Sequence, residues 1–326
     1  MLKLDGVAAF IAVAEAGSIT AAGRRMGLAK SVVSERLAEL ERSLGARLLQ
    51  RTTRKLSLTE NGLTFLTRGR NLLRDAEDAI GEIAERRGAL AGPLRLSAPV
   101  SFGILHLGPA LYPFLAAHPE IALSLELDDR FVDAGADGFD AVIRHGKVHD
   151  TRLVVRHLAS SRRVLVASPA YLESYGLPGS ASELSQHRAI LYANRDTDWR
   201  FDGPDGVVIA RPTPSVRVNN GLMMRDAALA GVGITLLPTF MIHEELASGA
   251  LSTIDIGLKA EGAEVHLAYP SQRGPSAKIA AMTEHLRRCF GTPPYWEKNP
   301  LALNTAGRQL SGGVSTQTFL VSPHGR

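Results

Sequence analysis

The chain has 326 residues, of which 45% are hydrophobic and 21% are charged, a composition typical of a globular protein of two or three domains. Its single cysteine, Cys289, excludes disulfides and thiol switches within the chain as well as cysteine-rich zinc sites, and the apolar helical pattern around it predicts that it is buried. The first residues include the charged side chains of Lys3 and Asp5 and show no apolar leader, so we expect no signal peptide. The sequence has no run of about 18 apolar residues, so we expect no membrane span and a cytoplasmic location.

The net charge of +4 is concentrated near the beginning of the chain. Residues 1–60 hold ten basic and six acidic side chains, which accounts for the whole excess, whereas the remaining 266 residues hold 27 of each sign. A local excess of positive charge is the electrostatic footprint of a nucleic-acid partner, although +4 over 60 residues is modest.

Residues 5–15 and 19–26 are predicted to form the first two helices. Ser18 is a good N-cap for the second helix, and Gly27 ends it. A third helix is predicted over residues 30–44, because apolar side chains recur there at steps of four, three and four, at Val33, Leu37, Leu40 and Leu44.

Residues 47–58 are predicted to form two short strands around a basic tip, which would complete a winged helix-turn-helix. Such a third helix buries one face and offers the other to a DNA groove, while a basic tip suits the minor groove or flanking phosphates. The candidate DNA-binding residues are Ser18, Lys30, Ser31, Ser34, Glu35, Arg36, Arg51, Arg54 and Lys55. From this pattern alone, a small helical domain with a solvated basic turn is an equally good explanation.

The residues themselves are more specific than the pattern. They read Phe10-x-x-Val13-Ala14-Glu15-x-Gly17-Ser18, Thr20-Ala21-Ala22, Val33-Ser34-x-x-Leu37-x-x-Leu40-Glu41-x-x-Leu44-Gly45-x-x-Leu48-Leu49-x-Arg51-Thr52-x-Arg54 and Leu58-Thr59-x-x-Gly62. This stretch closely resembles the DNA-binding domain of the LysR-type bacterial transcriptional regulators. One position departs from the family, which usually has a basic or amide residue where this chain has Glu35. A carboxylate repels phosphate but can accept a hydrogen bond from cytosine N4, so Glu35 either specifies a base or is turned away, with Arg36 in the basic role.

A long proline-free helix is predicted over residues 60–87. Two series at seven-residue spacing form an a/d seam on it: Leu66, Leu73 and Ile80, and Gly69, Ala76 and Ile83. The alternative to pairing is a helix packed on its own domain, but the wing before it and the break at residues 88–93 leave it no obvious partner within the chain. We therefore expect a homodimer or a dimer of dimers, joined through Leu66, Leu73, Ala76, Ile80 and Ile83, that binds two half-sites.

Beyond a hinge at Gly92-Pro93, predicted strands alternate with predicted helices, which indicates an α/β domain with mostly parallel sheets. The predicted strands cover 94–98, 121–127, 141–143, 163–167, 233–237 and 265–269. The predicted helices cover 102–117, 132–136, 169–175, 220–230 and 275–290, while residues 185–218 are rich in strands and turns.

Four stretches of this region are similar to LysR-type effector domains: Leu96-Ser97-Ala98-Pro99-Val100-Ser101-Phe102-Gly103, Phe139-Asp140-Ala141-Val142-Ile143-Arg144-x-Gly146, Ala167-Ser168-Pro169-x-Tyr171-Leu172 and Ala230-Gly231-Val232-Gly233-Ile234-x-Leu236-Leu237-Pro238. The resemblance covers about residues 1–292. It implies a two-lobed α/β fold like that of periplasmic solute-binding proteins, with an effector held between the lobes.

The resulting domains are an all-α winged helix-turn-helix, a linker or dimerisation helix and an effector domain, at residues 1–60, 61–90 and 91–292. The resemblance divides the effector domain into lobe I, near 93–160 and 266–292, and lobe II, near 161–265. The abundance of Pro, Gly and small polar residues predicts a disordered tail over 293–326, of which Tyr295, Trp296 and Phe319 could still dock on the body.

Ligands of open α/β sheets bind beyond the carboxyl ends of the strands, where helix N-termini point amides into a crevice. The candidate effector contacts are Pro99, Ser101, Arg130, Arg144, Phe201 and Asn220, and the expected ligand is a small anionic metabolite. Ser101 could instead only cap its helix, and Arg144 could pair with Asp128 or Asp140.

The sequence disfavours two other classes of protein, an enzyme and a transport protein. The chain contains no Gly-x-Ser-x-Gly elbow, no His-Glu-x-x-His and no phosphate-binding glycine loop, so we expect no catalysis, no metal and no cofactor. A solute-binding protein of a transport system is disfavoured by the attached DNA-binding domain. The sequence therefore predicts a transcriptional regulator whose partners are double-stranded DNA, a small-molecule effector and a second copy of itself.

Overall fold

The structure is a computed structural model. It describes residues 2–51, 56–85, 90–130, 138–146, 148, 150–194, 198–271 and 276–298. The chain folds into two compact units: the first combines residues 1–160 with 263–294, and the second combines residues 161–262 with the segment that begins at Tyr295.

The first unit begins with three helices and a hairpin: α1 (Leu4–Ala16), α2 (Ile19–Met26), α3 (Lys30–Leu44), β1 (Leu49–Arg51) and β2 (Leu56–Leu58). The predicted apolar stripe of α3 is confirmed at Val33, Leu37 and Leu40, which lie in one buried cluster with Phe10 of α1 and Leu48 before the hairpin. Its fourth predicted member, Leu44 at the end of the helix, is 37% exposed. A core of this kind lets a domain of about 60 residues bury the inner face of every helix, while the outer face of α3 stays exposed to solvent.

Helix α4 (Glu60–Glu85) follows the hairpin. Its first half packs on the helix-turn-helix core, because Leu66 and Leu73 lie against that cluster and Gly69 lies beside Val7 of α1. The expectation that this helix has no partner within the chain is therefore wrong for its first half.

The first unit also contains a five-stranded sheet formed by β3 (Gly92–Ala98), β4 (Ile121–Leu127), β5 (Ala141–His145), β6 (Leu153–Ala159) and β15 (Val265–Pro270). The strand order is β4-β3-β5-β15-β6. Strand β3 runs parallel to β4 and β5, whereas β15 returns from the second unit and lies antiparallel between β5 and β6. The sheet is mixed, which corrects the prediction of mostly parallel strands.

Two helical segments belong to the same unit. The first comprises α5 (Val100–Phe102), a π-helical stretch (Gly103–Leu107) and α6 (Gly108–Ala117), and the second is α10 (Ala277–Phe290). The segment Val100–Ala117 has the length and hydropathy of a membrane span. Half of it is buried inside the fold, and a core helix has the same apolar composition.

The second unit is built from short strands and helices. These are β7 (Arg163–Ala167), α7 (Pro169–Tyr175), a 3-10 turn (Glu183–Gln186), β8 (Arg188–Tyr192), β9 (Trp199–Gly203), β10 (Gly206–Ala210), β11 (Thr213–Val218), α8 (Gly221–Leu229), β12 (Thr235–Pro238), α9 (Thr239–Ala247), β13 (Ser252–Ile254) and β14 (Lys259–Ala260). Strand β7 pairs antiparallel with β12 and β13, and β9 pairs antiparallel with β10 and β14. Only β8 and β11 form a parallel ladder among the named strands that the structure describes in this unit.

The segment after α10 differs from the predicted tail at its beginning. Residues Tyr295–Glu297 form a 3-10 turn whose Trp296 is buried. The Glu297 carboxylate accepts hydrogen bonds from the Arg162 backbone N–H at 2.9 Å, from Arg162 Nε at 2.8 Å and from the Thr239 hydroxyl. An apolar anchor and a paired carboxylate hold residues 295–298 in place, and residues 299–326 lie outside the described residues.

Two further expectations concern the burial of Cys289 and a short helix over residues 132–136. Cys289 is exposed, with its Sγ 3.3 Å from His285 Nε2, so the prediction of a buried cysteine is wrong. The buried stripe of α10 is formed by Ile279, Met282, Leu286 and Phe290, and Cys289 falls beside it. The short helix predicted over 132–136 lies outside the described residues.

Candidate nucleic-acid interface and effector site

The turn between α2 and α3 is built from local signals. Ser18 caps α2, since its hydroxyl oxygen accepts a hydrogen bond from the Ala21 backbone N–H at 3.3 Å. Gly27 ends the helix at a φ of +65°, a left-handed conformation that favours glycine. The chain then enters α3 within three residues, which gives the helix-turn-helix arrangement.

Helix α3 presents a continuous exposed row on the side opposite its buried stripe. The row consists of Ser31, Glu35, Ala38 and Arg42, all exposed and spaced by four, three and four residues. Lys30 is exposed at the first turn and Ser34 is half-buried at the edge. The row offers a hydroxyl, a carboxylate, a methyl group and a guanidinium, which are groups that distinguish base edges or hold phosphates.

Arg36 is not part of this row. Its guanidinium lies 3.0 Å from the Asp5 carboxylate of α1, and one turn further on the Glu39 carboxylate lies 2.6 Å from Lys3 Nζ. These two ion pairs flank a groove of about 260 Å³ between the start of α1 and α3. Glu35 also lines this groove and is exposed at its outer side, whereas Arg36 is tied to Asp5 of α1. The sequence alone leaves both arrangements open.

The wing strands pair in the register Leu49 with Leu58, Gln50 with Ser57 and Arg51 with Leu56. Residues 52–55, including Arg54 and Lys55 of the predicted basic tip, lie outside the described residues, as does the side chain of Arg51. The role of the tip in DNA binding therefore stays a prediction.

The first candidate effector residues lie where β3 meets the helical segment after it. Pro99 precedes that segment, and the Val100 backbone N–H donates to Asp129 Oδ1 at 2.9 Å. Ser101 is only 2% exposed, and its hydroxyl is one of the buried side-chain groups without a hydrogen-bond partner among the described residues. A buried hydroxyl without a partner is costly, and it caps nothing here, so the simple capping role is not what the structure shows.

Arg144 is the second-last residue of β5 on the same sheet. Its guanidinium donates to Ser97 Oγ at 3.0 Å and to the Ile143 carbonyl oxygen at 2.6 Å, while its buried Nε has no hydrogen-bond partner among the described residues. Burial lowers the pKa of the Arg144 guanidinium, although the nearby carboxylates of Asp128 and Asp129 act in the opposite direction. Partly buried cationic nitrogen of this kind is suited to an anionic ligand group.

The neighbouring acids have other partners. Asp128 accepts hydrogen bonds from the Arg130 guanidinium, at 3.2 and 3.0 Å from Nε and at 2.6 Å from Nη2, and this pairing lowers the pKa of Asp128. Asp140 accepts the Arg95 backbone N–H at 2.7 Å. The hydrogen bonds of Arg144 go to neither acid, and Arg130 is an exposed side chain already engaged by a carboxylate.

The two candidate residues of the second unit have structural roles. Phe201 is 2% exposed and lies in a core cluster with Trp199 and Leu165, so it does not line an open surface, contrary to the prediction. Strand β9 alternates buried and exposed residues, and this alternation points Phe201 inward. Asn220 caps α8, with its side-chain oxygen accepting the backbone N–H groups of Leu222 at 3.0 Å and Met223 at 3.2 Å.

The predicted dimerisation residues separate into two groups. Leu66 and Leu73 pack on the helix-turn-helix core and Ala76 is half-buried, whereas Ile80 and Ile83 are 70% and 58% exposed. Of the predicted seam residues, only Ile80 and Ile83, near the end of α4, are therefore exposed apolar side chains. Leu66 and Leu73 are covered by the core of their own domain.

Sequence reasoning missed Ala38. An alanine carries no polar signal, but its position three residues after Glu35 and four before Arg42 would have placed it on the outward row. A contact between such a methyl group and the methyl group of thymine is one way in which proteins read DNA.

A winged helix-turn-helix with a polar outward row, followed by a long helix and a mixed α/β domain, defines a bacterial transcriptional regulator of the helix-turn-helix class. Residues 4–63 match the family described as "Bacterial regulatory helix-turn-helix protein, lysR family", and residues 87–290 match the "LysR substrate binding domain". The chain belongs to the LysR family of transcriptional regulators, and it carries an effector-binding domain. The resemblance stated from the motifs is confirmed, as is the predicted fold class.

Several known proteins are similar over most of their length. An uncharacterized HTH-type transcriptional regulator of Haemophilus influenzae is 32% identical and is aligned over 87% of this chain and 99% of its own length. The HTH-type transcriptional regulator PtxR of Pseudomonas aeruginosa is 31% identical, over 90% of this chain and 95% of its own. The full-length structure of AphB, a virulence activator of Vibrio cholerae, is 28% identical, with a TM-score of 0.58 over 87% of this chain and 98% of that one.

Proposed function

We propose that this regulator binds an inverted-repeat operator through the outward row of α3 and the wing, as a dimer or a dimer of dimers. The observation that carries the proposal is the row of Ser31, Glu35, Ala38 and Arg42, which is exposed along the whole of α3 while the opposite face is buried. Lys30, Ser34 and the Ser18 region would add phosphate contacts near the helix N-termini. Such a protein acts on the chromosome, which places it in the cytoplasm.

We infer that Glu35 reads a cytosine. It lies at the centre of the row, one turn after Ser31 and one turn before Ala38, so a groove that receives the row receives the carboxylate as well. A carboxylate placed against a base edge accepts a hydrogen bond from cytosine N4, and each good base contact discriminates by about 1–3 kcal/mol. Arg36 is occupied by Asp5 and does not substitute for it.

We further propose that the effector is a small organic anion that binds near Ser101 and Arg144 and is not turned over. The support is a buried hydroxyl and a buried guanidinium nitrogen without partners among the described residues, both at the carboxyl ends of adjacent strands of one sheet. A carboxylate accepts hydrogen bonds from hydroxyl and guanidinium groups alike. The contribution of the second unit rests on the family resemblance alone.

Selection of bound DNA from a random pool tests operator recognition. The full-length wild-type protein is expected to enrich an inverted repeat with a cytosine at one position of each half-site, because Glu35 accepts from its N4 group. Glu35→Arg is expected to replace that cytosine by guanine, with a change of preference of about tenfold or more, since arginine pairs with guanine O6 and N7. Glu39→Arg changes the charge by the same amount beside the row and should leave the motif unchanged.

An absence of any enriched sequence at low salt would overturn the proposal of sequence-specific binding. An enriched inverted repeat whose bases are the same for wild type and Glu35→Arg would leave the operator proposal intact and remove Glu35 from base recognition.

Arg54→Ala is expected to weaken binding to every DNA sequence and to reduce the slope of log K against log salt by about one, because one phosphate contact of the wing is lost. The measurement is a salt titration of affinity on the selected operator and on an unrelated duplex of equal length. Arg211→Ala, which removes an exposed arginine of the second unit, serves as the charge-matched control. Wild-type affinity of Arg54→Ala at every salt concentration would exclude the wing tip from the interface.

A further inference from the structure

One side chain, that of Glu41, links the base of the wing to helix α3 by hydrogen bonds. Glu41 of α3 points its Oε1 at the start of β1, where it accepts the backbone N–H of Leu48 at 2.8 Å and that of Leu49 at 3.1 Å. These contacts are partly buried, and Glu41 itself is half-buried. A single carboxylate oxygen therefore satisfies two consecutive backbone N–H donors at the point where the chain passes from α3 into the wing.

The opposite side of the same backbone is held by the start of α4. The Thr59 backbone N–H donates to the Leu48 carbonyl oxygen at 3.0 Å, and its hydroxyl donates to the Arg47 carbonyl oxygen at 2.7 Å. Gly62 lies so close to the Leu48 carbonyl oxygen that an added Cβ would collide with it. Residues 47–49 are thus clamped between α3 and α4, and the carboxylate of Glu41 is the link to α3.

A clamp is needed because the wing is small. Strands β1 and β2 have three residues each and form a two-stranded sheet of their own. A hairpin of this size is marginally stable by itself, so its direction relative to α3 depends on what holds its base. The buried side chains of Leu48 and Leu49 fix the depth of the base in the core, whereas directional hydrogen bonds to Glu41 fix its orientation.

We propose that Glu41 is a positioning residue that sets the wing at a fixed offset from the outward row of α3, so that both reach the same DNA duplex together. The proposal rests on the proposed binding of DNA by the row and the wing. Glu41 touches no DNA itself, since it lies on the flank of α3 that faces the hairpin, and it acts by keeping two contact surfaces in register.

The test compares three substitutions at this position in the full-length protein. Glu41→Ala removes both hydrogen bonds, Glu41→Asp retracts the carboxylate by one methylene, and Glu41→Gln retains an oxygen that can accept from both N–H groups. Glu39→Ala is the control, because it removes the same charge from the same helix but only breaks the exposed pair with Lys3. Affinity for the selected operator is measured across a salt titration, together with a hydroxyl-radical footprint.

Glu41→Ala and Glu41→Asp are expected to lose about tenfold in affinity at low salt and to lower the salt slope by about one or two, since the wing no longer neutralises its phosphates. Their footprints should lose protection at the outer flanks and keep it at the bases read by α3. Glu41→Gln should stay within about twofold of wild type, and Glu39→Ala should bind at least as tightly as wild type with an unchanged footprint.

A double-mutant cycle with Arg54→Ala separates positioning from general destabilisation. If Glu41 acts through the wing, Glu41→Ala costs much less affinity in the Arg54→Ala background than alone, whereas independent effects would add. Glu41→Asp provides the same cycle if the alanine variant does not fold. Wild-type slope and footprint in the alanine or aspartate variant, or additive losses in the cycle, would overturn the proposal. A wild-type protein that binds no DNA at all would instead overturn the proposed function on which it rests.

Discussion

Replacing Ile80 and Ile83 together by aspartate is expected to dissociate the protein into monomers and to lower its affinity for an inverted repeat by about a hundredfold or more, because two linked half-site contacts become independent. Both side chains are more than half exposed on the second half of α4. At about 100° per residue, they share an arc of about 100° with Leu72, Ala76 and Ala79. An apolar stripe of this width on a helix is the pattern that buries itself against another element.

The expected size of the effect follows from the burial of isoleucine. Removing one fully exposed isoleucine from water is worth roughly 1.5–3 kcal/mol. Because Ile80 and Ile83 are 70% and 58% exposed, the four isoleucines of a symmetric pair supply at most roughly 4–8 kcal/mol before the cost of association. Four carboxylates facing each other across the same interface would add repulsion and a desolvation penalty. No dimer of ordinary affinity tolerates that change.

Sedimentation of wild type and variant at matched concentrations measures the mass, and titration on the selected operator measures the affinity. Leu63→Asp is the matched control, because Leu63 is 59% exposed on the same helix but lies on the opposite side from Leu72. The control should sediment like wild type. A variant that sediments and binds DNA like wild type would remove α4 from the dimer interface and leave the oligomeric surface elsewhere on the chain.

Helix α4 shows that a heptad pattern predicts which side chains lie along one helix but not which surface covers them. The seven-residue spacing of Leu66, Leu73 and Ile80 correctly predicts that they lie along one helix. It does not contain the identity of the surface that covers them, since Leu66 and Leu73 meet the core of their own domain. What covers a stripe depends on where the preceding hairpin directs the helix, and this direction is set by contacts such as those of Glu41 and Thr59 that no periodicity reveals.

Features set by nearby residues are predicted more reliably from the sequence than the pairing of strands that are distant along the chain. The Ser18 cap and the Val33, Leu37 and Leu40 stripe are decided within a few residues, and both are found as predicted. The antiparallel place of β15 between β5 and β6 depends on a return of the chain after about 100 residues of the second unit, and alternation within β15 says nothing about its neighbours.

The candidate effector residues show the same limit. Ser101 and Arg144 were predicted from the rule that ligands meet the carboxyl ends of strands, and the structure gives each a buried polar atom without a partner among the described residues. Phe201 was predicted to contact the effector, but the inward side of β9 holds it in a core. Whether a side chain of a short strand faces the core or a ligand is decided by one residue of register.

Ser101→Trp is expected to abolish the response to the effector while leaving the affinity for the operator in its absence at the wild-type value. The hydroxyl is buried beside the start of the helical segment that follows β3, and an indole in its place fills the space that a ligand carboxylate would take. The helix-turn-helix has a core of its own, which includes side chains of α1 to α4, and Ser101 does not belong to it. The two functions should therefore separate in this variant.

A panel of mono- and dicarboxylic acids provides the measurement, through the shift of the thermal unfolding midpoint at saturating ligand. A ligand present at 100 times its Kd stabilises the folded state by about 2.7 kcal/mol, which is a shift of several degrees for a domain of this size. The acids that shift wild type should give no shift for Ser101→Trp. Ser174→Trp, at an exposed serine of α7, should respond like wild type.

A buried tryptophan can also overpack its surroundings, at a cost of about 1–3 kcal/mol, so the smaller variant Ser101→Ala carries the argument independently. It removes only the hydroxyl and should weaken binding of the active acids by about tenfold, the loss expected for one hydrogen bond to a charged group. Arg144→Met should abolish binding of the same acids, because it removes the cation and keeps the apolar stem. If both variants respond to the acids as wild type does, the effector binds away from the end of β3, and the unpartnered hydroxyl of Ser101 has a structural cause instead.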